Sequence, residues 1–461
     1  MKLLKRKMFK TANFWWLALF IITVFFHCNH TLNSDEGVVL EGAWNLINNR
    51  ELYFDFFEFI PPGSFYAVFF IWKIFGVYYL VAKFLAIITI FLTSVGIYKI
   101  SRHIVDNDWV YLPPFIFIFS SFSWPIVNHN VFNLFFVVWA VYFFIKSLFG
   151  YPVKHIVISG FFSGLAVIFL QQRGVVLLLA ALLYLFILFI KEKKYIWLKL
   201  CFYYLFSALP LVALLFIKWP ARLLYKSLIE FPLFNYTEVN KVSVYLFLLY
   251  LVILFLAIWW FRKNKSKEIW FLFLLQLVLL VSALPRPDYY HIYLIIFPLY
   301  AIFPLMFGRM HGLNHYFRRV LYFGVSIAIF LIILPSLVFV LITCPPFSSI
   351  KDNEVLSYVK DNCPGKEDLY AGPFIPGLYF EARKLNVIPY SFLITNHQTP
   401  EQFLEAKNLL TEHKPACAVY NFKIVEKFGY SQDNAVDNYI INNYQLAFKK
   451  GDNLVYKVNI K

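Results

Sequence analysis

Six carboxylates are concentrated in one short stretch near the N-terminus. They are Asp35, Glu36, Glu41, Glu51, Asp55 and Glu58. Nearby basic residues are few, chiefly Arg50 and Lys73. A cluster of carboxylates can supply a general base or bind a metal ion. The alternative is an ordinary solvated loop, and composition alone does not decide between the two interpretations.

The first of these carboxylates lies at the start of a predicted helix. Ser34 can cap a helix that runs to about Asn48, and apolar residues recur along it at the spacing of one helix face. The residues of that face are Val39, Ala43, Leu46 and Ile47. Asp35 lies near the top of the same face, so we expect it to face protein or lipid headgroups rather than bulk water. The helix is too short and too polar to span a bilayer, which predicts a position in the membrane interface.

The rest of the chain shows what must position this loop. Of 461 residues, 61% are apolar and only 15% are charged, whereas soluble domains carry about 25% charge. Long apolar runs recur between residues 13 and 343, and each can cross a hydrocarbon core of about 30 Å as a helix. They lack the alternation of barrel strands. The chain is therefore predicted to be an α-helical, polytopic membrane protein.

The basic residues set the predicted topology. Most Lys and Arg residues lie in short clusters between apolar runs, which marks those loops as cytoplasmic and argues against nucleic acid as a partner. Only one of the segments 61–76 and 77–99 can then cross, and the first, which opens with Pro61-Pro62, is interpreted as juxtamembrane or re-entrant. About eleven spans follow, with an uncleaved first helix and a cytoplasmic N-terminus in the cell membrane. They lie at roughly 13–28, 80–100, 109–126, 131–148, 155–171, 174–190, 196–217, 243–261, 269–284, 290–308 and 319–343.

Three regions follow from these spans. Residues 1–343 form the membrane domain, and its segment 29–79 is the extracytoplasmic first loop. Residues 344–461 are predicted to be a small extracytoplasmic α/β domain, called the tail below. In the tail, Thr399-Pro400 starts a helix, and 416–420 and 454–458 read as strands. One disulfide could form among Cys344, Cys363 and Cys417, with the pairing left open.

An ordered set of short motifs carries a resemblance to a known family. The uncleaved first helix is followed by Asp-Glu-Gly, Ala43-Trp-Asn-Leu-Ile, Leu52-Tyr-Phe-Asp55, Phe57-Glu58 and Pro61-Pro62-Gly-Ser-Phe-Tyr66. This set resembles the N-terminal signature of the GT-C fold glycosyltransferases. The match is to their bacterial branch, which is similar to protein mannosyltransferases and to lipid A aminoarabinose transferases. It covers about residues 13–105 in order and spacing, with weaker similarity beyond.

The resemblance implies a reaction and roles for particular residues. These enzymes move a sugar from a polyprenyl-phosphate carrier to an extracytoplasmic acceptor with inversion, and Asp35 matches their catalytic base. Glu58 matches the Glu of their Phe-Glu-Lys-Pro stretch, although the Lys is missing here. Glu36 and Asp55 are further candidates for substrate or carrier binding in the same loop.

Two later segments match parts that bind the carrier. Arg173, in the predicted turn Gln172-Arg173-Gly174, matches a basic residue near the carrier phosphate, and its alternative role is an interface anchor. The segment 285–291 resembles a His-Tyr segment of the family. Its candidates for phosphate or substrate binding are Arg286, Asp288, Tyr290 and His291, and the alternative is an ordinary aromatic belt.

The resemblance leaves cofactors and two other function classes open. Family members often carry a second acidic residue at the outer end of the fourth span, where this chain has Asn128-His129-Asn130. A divalent metal could bind the first loop, but no second acidic loop supports it.

A flippase or transporter of lipid-linked sugars is one alternative, and the scarcity of ionisable residues within the spans argues against it. A polysaccharide polymerase or ligase is another, and the absence of His from loop 218–242 argues against that.

Overall fold

A computed structural model describes residues 2–28, 32–150, 152–235, 244–283, 289–309, 354–367 and 369–459, with the single positions 334, 337, 338 and 342. Three predicted features lie outside the described residues. They are the site candidates Arg286 and Asp288, nearly all of the last predicted span at 319–343, and Cys344.

Helices account for most of the described part of residues 1–309. Their bounds are α1 Lys2–Cys28, α2 Ser34–Ile47, α3 Gly63–Phe75, α4 Tyr79–Ile104, α5 Leu112–Ser120, α6 His129–Ser147, α7 Val153–Phe169, α8 Gln171–Glu192, α9 Ile196–Lys218, α10 Ala221–Tyr225, α11 Phe231–Phe234, α12 Val244–Phe261, α13 Lys267–Ser282, α14 Tyr289–Ile295 and α15 Phe297–Arg309. A π-helical turn, Lys226–Glu230, joins α10 to α11.

Four of these helices are long and apolar enough to cross a membrane, by length and composition. They are α4, α6, α8 and α9. Shorter apolar helices accompany them, among them α3 and α7. Large apolar side chains such as Phe202, Phe206 and Ile217 are exposed on the outer surface of α9, as expected where lipid rather than water surrounds a helix. The chain is therefore a polytopic helical membrane protein, as predicted.

Two predicted spans are interrupted in the structure. The span at 109–126 is a 3₁₀ turn followed by α5, which ends at Ser120. The span at 290–308 is divided at Ile296 between α14 and α15. Pro298 lies two residues after this break, and proline lacks the N–H that a continuous helix needs at that position.

The hairpin of α7 and α8 is present, but its turn lies three residues earlier than predicted. The break falls at Leu170, which has the extended backbone angles φ −159° and ψ 106°. Arg173 consequently lies in the first turn of α8. Gly174 explains how closely the helices approach, because a Cβ there would lie 2.3 Å from the backbone N of Val167.

The tail is a small α/β unit, as predicted. Its elements are α16 Glu354–Asn362, β1 Leu369–Gly372, α17 Gly377–Ala382, α18 Pro400–His413, β2 Cys417–Tyr420, α19 Ala435–Asn443, β3 Tyr444–Lys450 and β4 Asn453–Val458. The sheet has the order β1-β2-β4-β3, in which β1–β2 is parallel and the other two pairs are antiparallel. Thr399 caps α18 in a capping box with Gln402. A disulfide joins Cys363 to Cys417.

The tail packs directly on the first loop. The indole N–H of Trp44 donates to the carbonyl of Lys384 at 2.7 Å, and the rings of Trp72 and Phe380 stack at 4.9 Å. Because of these contacts α2 is buried on every side from Glu36 to Leu46. The helix is present close to its predicted bounds, but Asn33 rather than Ser34 caps it, and protein rather than the membrane interface encloses it over most of its length.

Candidate active site

The first turn of α2 carries two carboxylates, Asp35 and Glu36, whose surroundings differ. Asn33 caps the helix, and its Oδ1 accepts from the backbone N–H of Asp35 at 2.8 Å. The Asp35 side chain is half-buried. Within the described residues, no hydrogen bond or ion pair engages its carboxylate. The cap thus holds the backbone of Asp35, while its carboxylate keeps its acceptor capacity among the described residues.

Glu36, the next residue, is fully engaged. Its Oε1 accepts from the backbone N–H groups of Ile126 and Val127 at 2.9 and 3.1 Å. Its Oε2 accepts from the Tyr79 hydroxyl at 2.5 Å and from the Asn33 backbone N–H at 3.4 Å. Glu36 is 2% exposed. Its four contacts tie α2 to the start of α4 and to the loop 124–128 before α6.

Arg173 lies in a buried polar cluster at the same end of the helices. Its Nη2 donates to Asn130 Oδ1 at 3.0 Å, and its Nη1 donates to the Asn130 carbonyl at 3.3 Å and to Asn133 Oδ1 at 3.4 Å. Among the residues that the structure describes, its Nε has no partner. Arg173 is 4% exposed, so neutral amides rather than carboxylates surround this cation in the described part of the chain.

Tyr290 adjoins this cluster, and His291 follows it. The Tyr290 hydroxyl lies 3.5 Å from the Pro125 carbonyl, its ring packs edge-on against Trp124, and it is within electrostatic range of Arg173. The His291 ring is edge-on to Tyr290 at 5.2 Å. The structure thus brings Glu36 and Tyr290 to the loop 124–128 and Arg173 to the start of α6, which follows that loop.

A second polar cluster lies between the first loop and the tail. Glu41 Oε1 accepts from Asn386 Nδ2 at 3.1 Å, and Glu58 Oε1 accepts from the Ser391 hydroxyl. Both carboxyls are 1% exposed. Burial raises the pKa of Glu41 well above its ordinary value and raises the pKa of Glu58 to about 8. Near neutral pH a protonated Glu58 therefore predominates, so it is poorly suited to act as a base.

Asp55 is placed differently from the other candidates. It is exposed, and its Oδ2 accepts from the backbone N–H of Glu51 at 2.6 Å, which closes a local turn. This contact gives Asp55 a structural role, and its predicted part in binding stays a prediction.

Several polar residues of the site escaped the sequence reasoning. Asn130 drew notice only because its stretch lacks a carboxylate, yet Asn130 and Asn133 both accept hydrogen bonds from Arg173. Lys83 is 1% exposed and its Nζ lies 4.8 Å from the centre of the Tyr79 ring. The available signal was a charged residue inside an apolar run, which in a membrane protein marks a functional position by default.

A metal site needs several ligating side chains close together. Across the residues that the structure describes, no group of three or more His, Cys, Asp or Glu side chains is placed to hold a metal ion.

Comparisons with solved structures identify the fold. ArnT from Cupriavidus metallidurans bound to undecaprenyl phosphate superposes with a TM-score of 0.61 at 12% identity, over 97% of this chain and 98% of that one. Its apo form gives 0.59 at 13% identity, over 96% and 98%. The oligosaccharyltransferase from Archaeoglobus fulgidus, tethered to an acceptor peptide, gives 0.58 at 11% identity, over 94% and 72%. No protein-family model and no curated protein matches the sequence. ArnT is a lipid A aminoarabinose transferase, and both it and the oligosaccharyltransferase are GT-C glycosyltransferases. Across nearly its whole length, this chain has the GT-C fold.

Proposed function

We propose that this protein is an inverting glycosyltransferase that moves a sugar from a polyprenyl-phosphate carrier to an extracytoplasmic acceptor. The observation that carries the proposal is the likeness to ArnT bound to undecaprenyl phosphate, which extends over nearly the whole of both chains. Asp35 supplies a base and the polar cluster around Arg173 supplies a buried cation, and such a transfer uses both.

Asp35 is the proposed base. It accepts the proton of an acceptor hydroxyl or amine while the acceptor oxygen or nitrogen forms a bond to the anomeric carbon. The bond from that carbon to the phosphate oxygen breaks, and its electron pair leaves with the carrier phosphate. Because attack and departure occur on opposite faces, the configuration inverts. A carboxylate suffices as base when the leaving group is as good as a phosphate.

The contacts favour Asp35 over the other carboxylates of the loop. Both Glu36 oxygens already accept from protein donors, and burial raises the pKa of Glu58. Asp35 is half-buried and keeps its acceptor capacity among the described residues. A base needs both an accessible lone pair and a fixed position.

Arg173 is the proposed contact to the carrier phosphate. A guanidinium can donate to a phosphate through several N–H groups at once. Here the surrounding Asn130 and Asn133 orient it without neutralising its charge. In this proposal Tyr290 and His291 lie beside the same phosphate, and the first loop and the tail face the outside of the cell membrane.

The test is Asp35→Asn in purified, full-length protein, assayed for transfer with a panel of radiolabelled polyprenyl-phosphate sugars. The substitution keeps the size of the side chain and removes the basic oxygen, so we expect at least a 10²-fold loss, within the roughly 10²–10⁴-fold typical of a general base. Asn caps helices about as well as Asp, so a purely structural Asp35 predicts near-normal turnover. If the wild type transfers none of these sugars but moves the lipid-linked sugar between leaflets of a vesicle, the chain is a flippase.

A further inference from the structure

We propose that Glu36 is a positioning residue that couples Asp35 to Arg173, so that the base and the phosphate contact are held by one carboxylate. The roles of Asp35 and Arg173 rest on the proposed function. The contacts that link them do not, and they can be tested separately.

The first half of the link joins Glu36 to α2 and α4. Glu36 Oε2 accepts from the Asn33 backbone N–H and from the Tyr79 hydroxyl. The first contact closes the capping box at the start of α2, which fixes the turn that carries Asp35. The second fixes that turn against the first residue of α4, whose ring is packed under Lys83.

The second half joins Glu36 to Arg173. Glu36 Oε1 accepts from Ile126 and Val127, the two residues before Asn128. Asn128 Oδ1 in turn accepts from the backbone N–H of Asn130 at 2.8 Å and from its side-chain amide at 3.0 Å. Asn130 then receives both Nη groups of Arg173. The chain of contacts from Asp35 to Arg173 is therefore continuous.

The geometry assigns Glu36 to positioning and not to ligand binding. A carboxylate offers about four lone-pair sites, and four donors from the protein occupy them here. At 2% exposure, no acceptor position remains for a substrate. Loss of the side chain would leave the Ile126 and Val127 N–H groups buried without partners, which is costly in a dry site.

The experiment compares Glu36→Ala with Glu36→Gln in the reconstituted full-length protein. The amide oxygen of Gln can still accept from Ile126 and Val127, and its amide nitrogen can donate to Tyr79. Ala can do neither. We expect Glu36→Ala to lower kcat about 100-fold, as displacement of a reacting group by about 1 Å can do, and to weaken binding of polyprenyl phosphate alone about tenfold. Glu36→Gln should recover most of both losses.

The variants Asp35→Asn and Arg173→Ala are the references against which the effect of Glu36→Ala on kcat and on binding is compared. Asp35→Asn should lower kcat and leave polyprenyl-phosphate binding intact, and Arg173→Ala should chiefly weaken binding. A Glu36→Ala variant that changes both, measured per folded molecule, supports the coupling. A Glu36→Gln variant as inactive as Ala but with normal binding would instead make Glu36 a direct participant in the chemistry.

A second measurement does not depend on the reaction. Amide hydrogen exchange should become faster at Ile126 and Val127 in Glu36→Ala, with protection restored in Glu36→Gln. Tyr79→Phe should give a smaller increase than Glu36→Ala, and Tyr78→Phe, at a neighbour that is 63% exposed, should give none. Unchanged exchange in Glu36→Ala would overturn the proposal even if the wild type is an active transferase. Faster exchange would uphold the link even if no transfer is found.

Discussion

Arg173 is a buried cation whose surroundings indicate the charge of the ligand it would bind. It is buried, and its described partners are the neutral groups of Asn130 and Asn133. Burial of a charge costs free energy unless an opposite charge or several hydrogen bonds offset it. A phosphate bound here would supply that charge, which is why the carrier headgroup suits this position.

Substitution of Arg173 should therefore affect binding of the donor above all. We expect Arg173→Ala to raise the KM for a polyprenyl-phosphate sugar about 10- to 100-fold, the range for loss of a hydrogen bond to a charged group. Arg173→Lys should rescue only in part, because Lys lacks the planar fork that contacts Asn130 through two nitrogens. Arg222→Ala, at an exposed position, is the matched control for loss of positive charge. Normal turnover of donor by Arg173→Ala would leave Arg173 as an interface anchor.

The different roles of Asp35 and Glu36 could not be predicted from the sequence. The dipeptide Asp35-Glu36 is visible in the sequence, but its two carboxylates are distinguished by partners at Tyr79, Ile126 and Val127. Those partners are 43 to 91 positions away, and two of them are backbone groups without a side-chain signal. The sequence alone could therefore predict that Asp35 and Glu36 belong to the site, but not that their two side chains have different roles.

At the scale of elements, local signals were sufficient where the contacts are local. Thr399, Pro400 and Gln402 form a cap within four residues, and the predicted start of α18 is confirmed. The packing of α2 was not predictable in this way. Gly37 lies within α2, where glycine is an unfavourable helix residue. A Cβ at this position would lie 2.5 Å from the backbone N of Gly377 in the tail, and Gly377 is 340 positions further along the chain.

The junction of the first loop with the tail should weaken as pH rises. Burial raises the pKa of Glu58 to about 8, whereas in the unfolded chain a Glu titrates near 4.3. Between these values the folded state holds the additional proton, so its stability falls with increasing pH. Below about pH 4 Glu58 is protonated in both the folded and the unfolded state, so folding loses no stability. Above about pH 8 Glu58 is ionised in both states, and the loss of stability has reached its full size.

Glu58→Gln should remove this dependence, because Gln resembles the protonated carboxyl in shape. We expect the variant to be more stable than the wild type at about pH 9, by up to a few kcal/mol, and similar to it at about pH 5. Thermal unfolding in detergent at both pH values measures this. Glu51→Gln, at an exposed position of the same loop, should track the wild type. Parallel stability curves for Glu58→Gln and the wild type would contradict the assignment.

At the scale of the whole molecule, charge is divided unequally along the chain. Residues 344–461 contain 13 Lys and Arg and 13 Asp and Glu, whereas residues 1–343 contain 29 Lys and Arg and 13 Asp and Glu. The net charge of +16 therefore lies entirely in residues 1–343.

The helices α4, α6 and α8 all begin at the end where Glu36 and Arg173 lie, and basic residues occupy their last turns. Basic ends mark the cytoplasmic side, so the opposite end is predicted to face outside.

This topology predicts that the first loop and the tail are labelled from the same side. Single cysteines at Asn49 and Asn396, both exposed, should react with an impermeant thiol reagent in intact cells. A cysteine at Lys193, exposed at the other end of α8, should react only after the cells are opened. Cys28, Cys201 and Cys344 are replaced by Ser, and the disulfide is kept. Labelling of only one of the first two positions from outside would refute the parity of spans.

The contacts of Glu41 with Asn386 and of Trp44 with Lys384 join positions about 340 residues apart, and this separation has a consequence for biosynthesis. The ribosome synthesises α2 early and the tail after the membrane helices. The first loop therefore cannot contact Lys384 and Asn386 until those helices have been synthesised. A transcript truncated before the tail would still encode Asp35, Arg173 and Tyr290, yet its α2 would lack the surface that encloses it. Protease cleavage of the first loop in such truncated chains, and its protection once the tail is made, would reveal this late step of assembly.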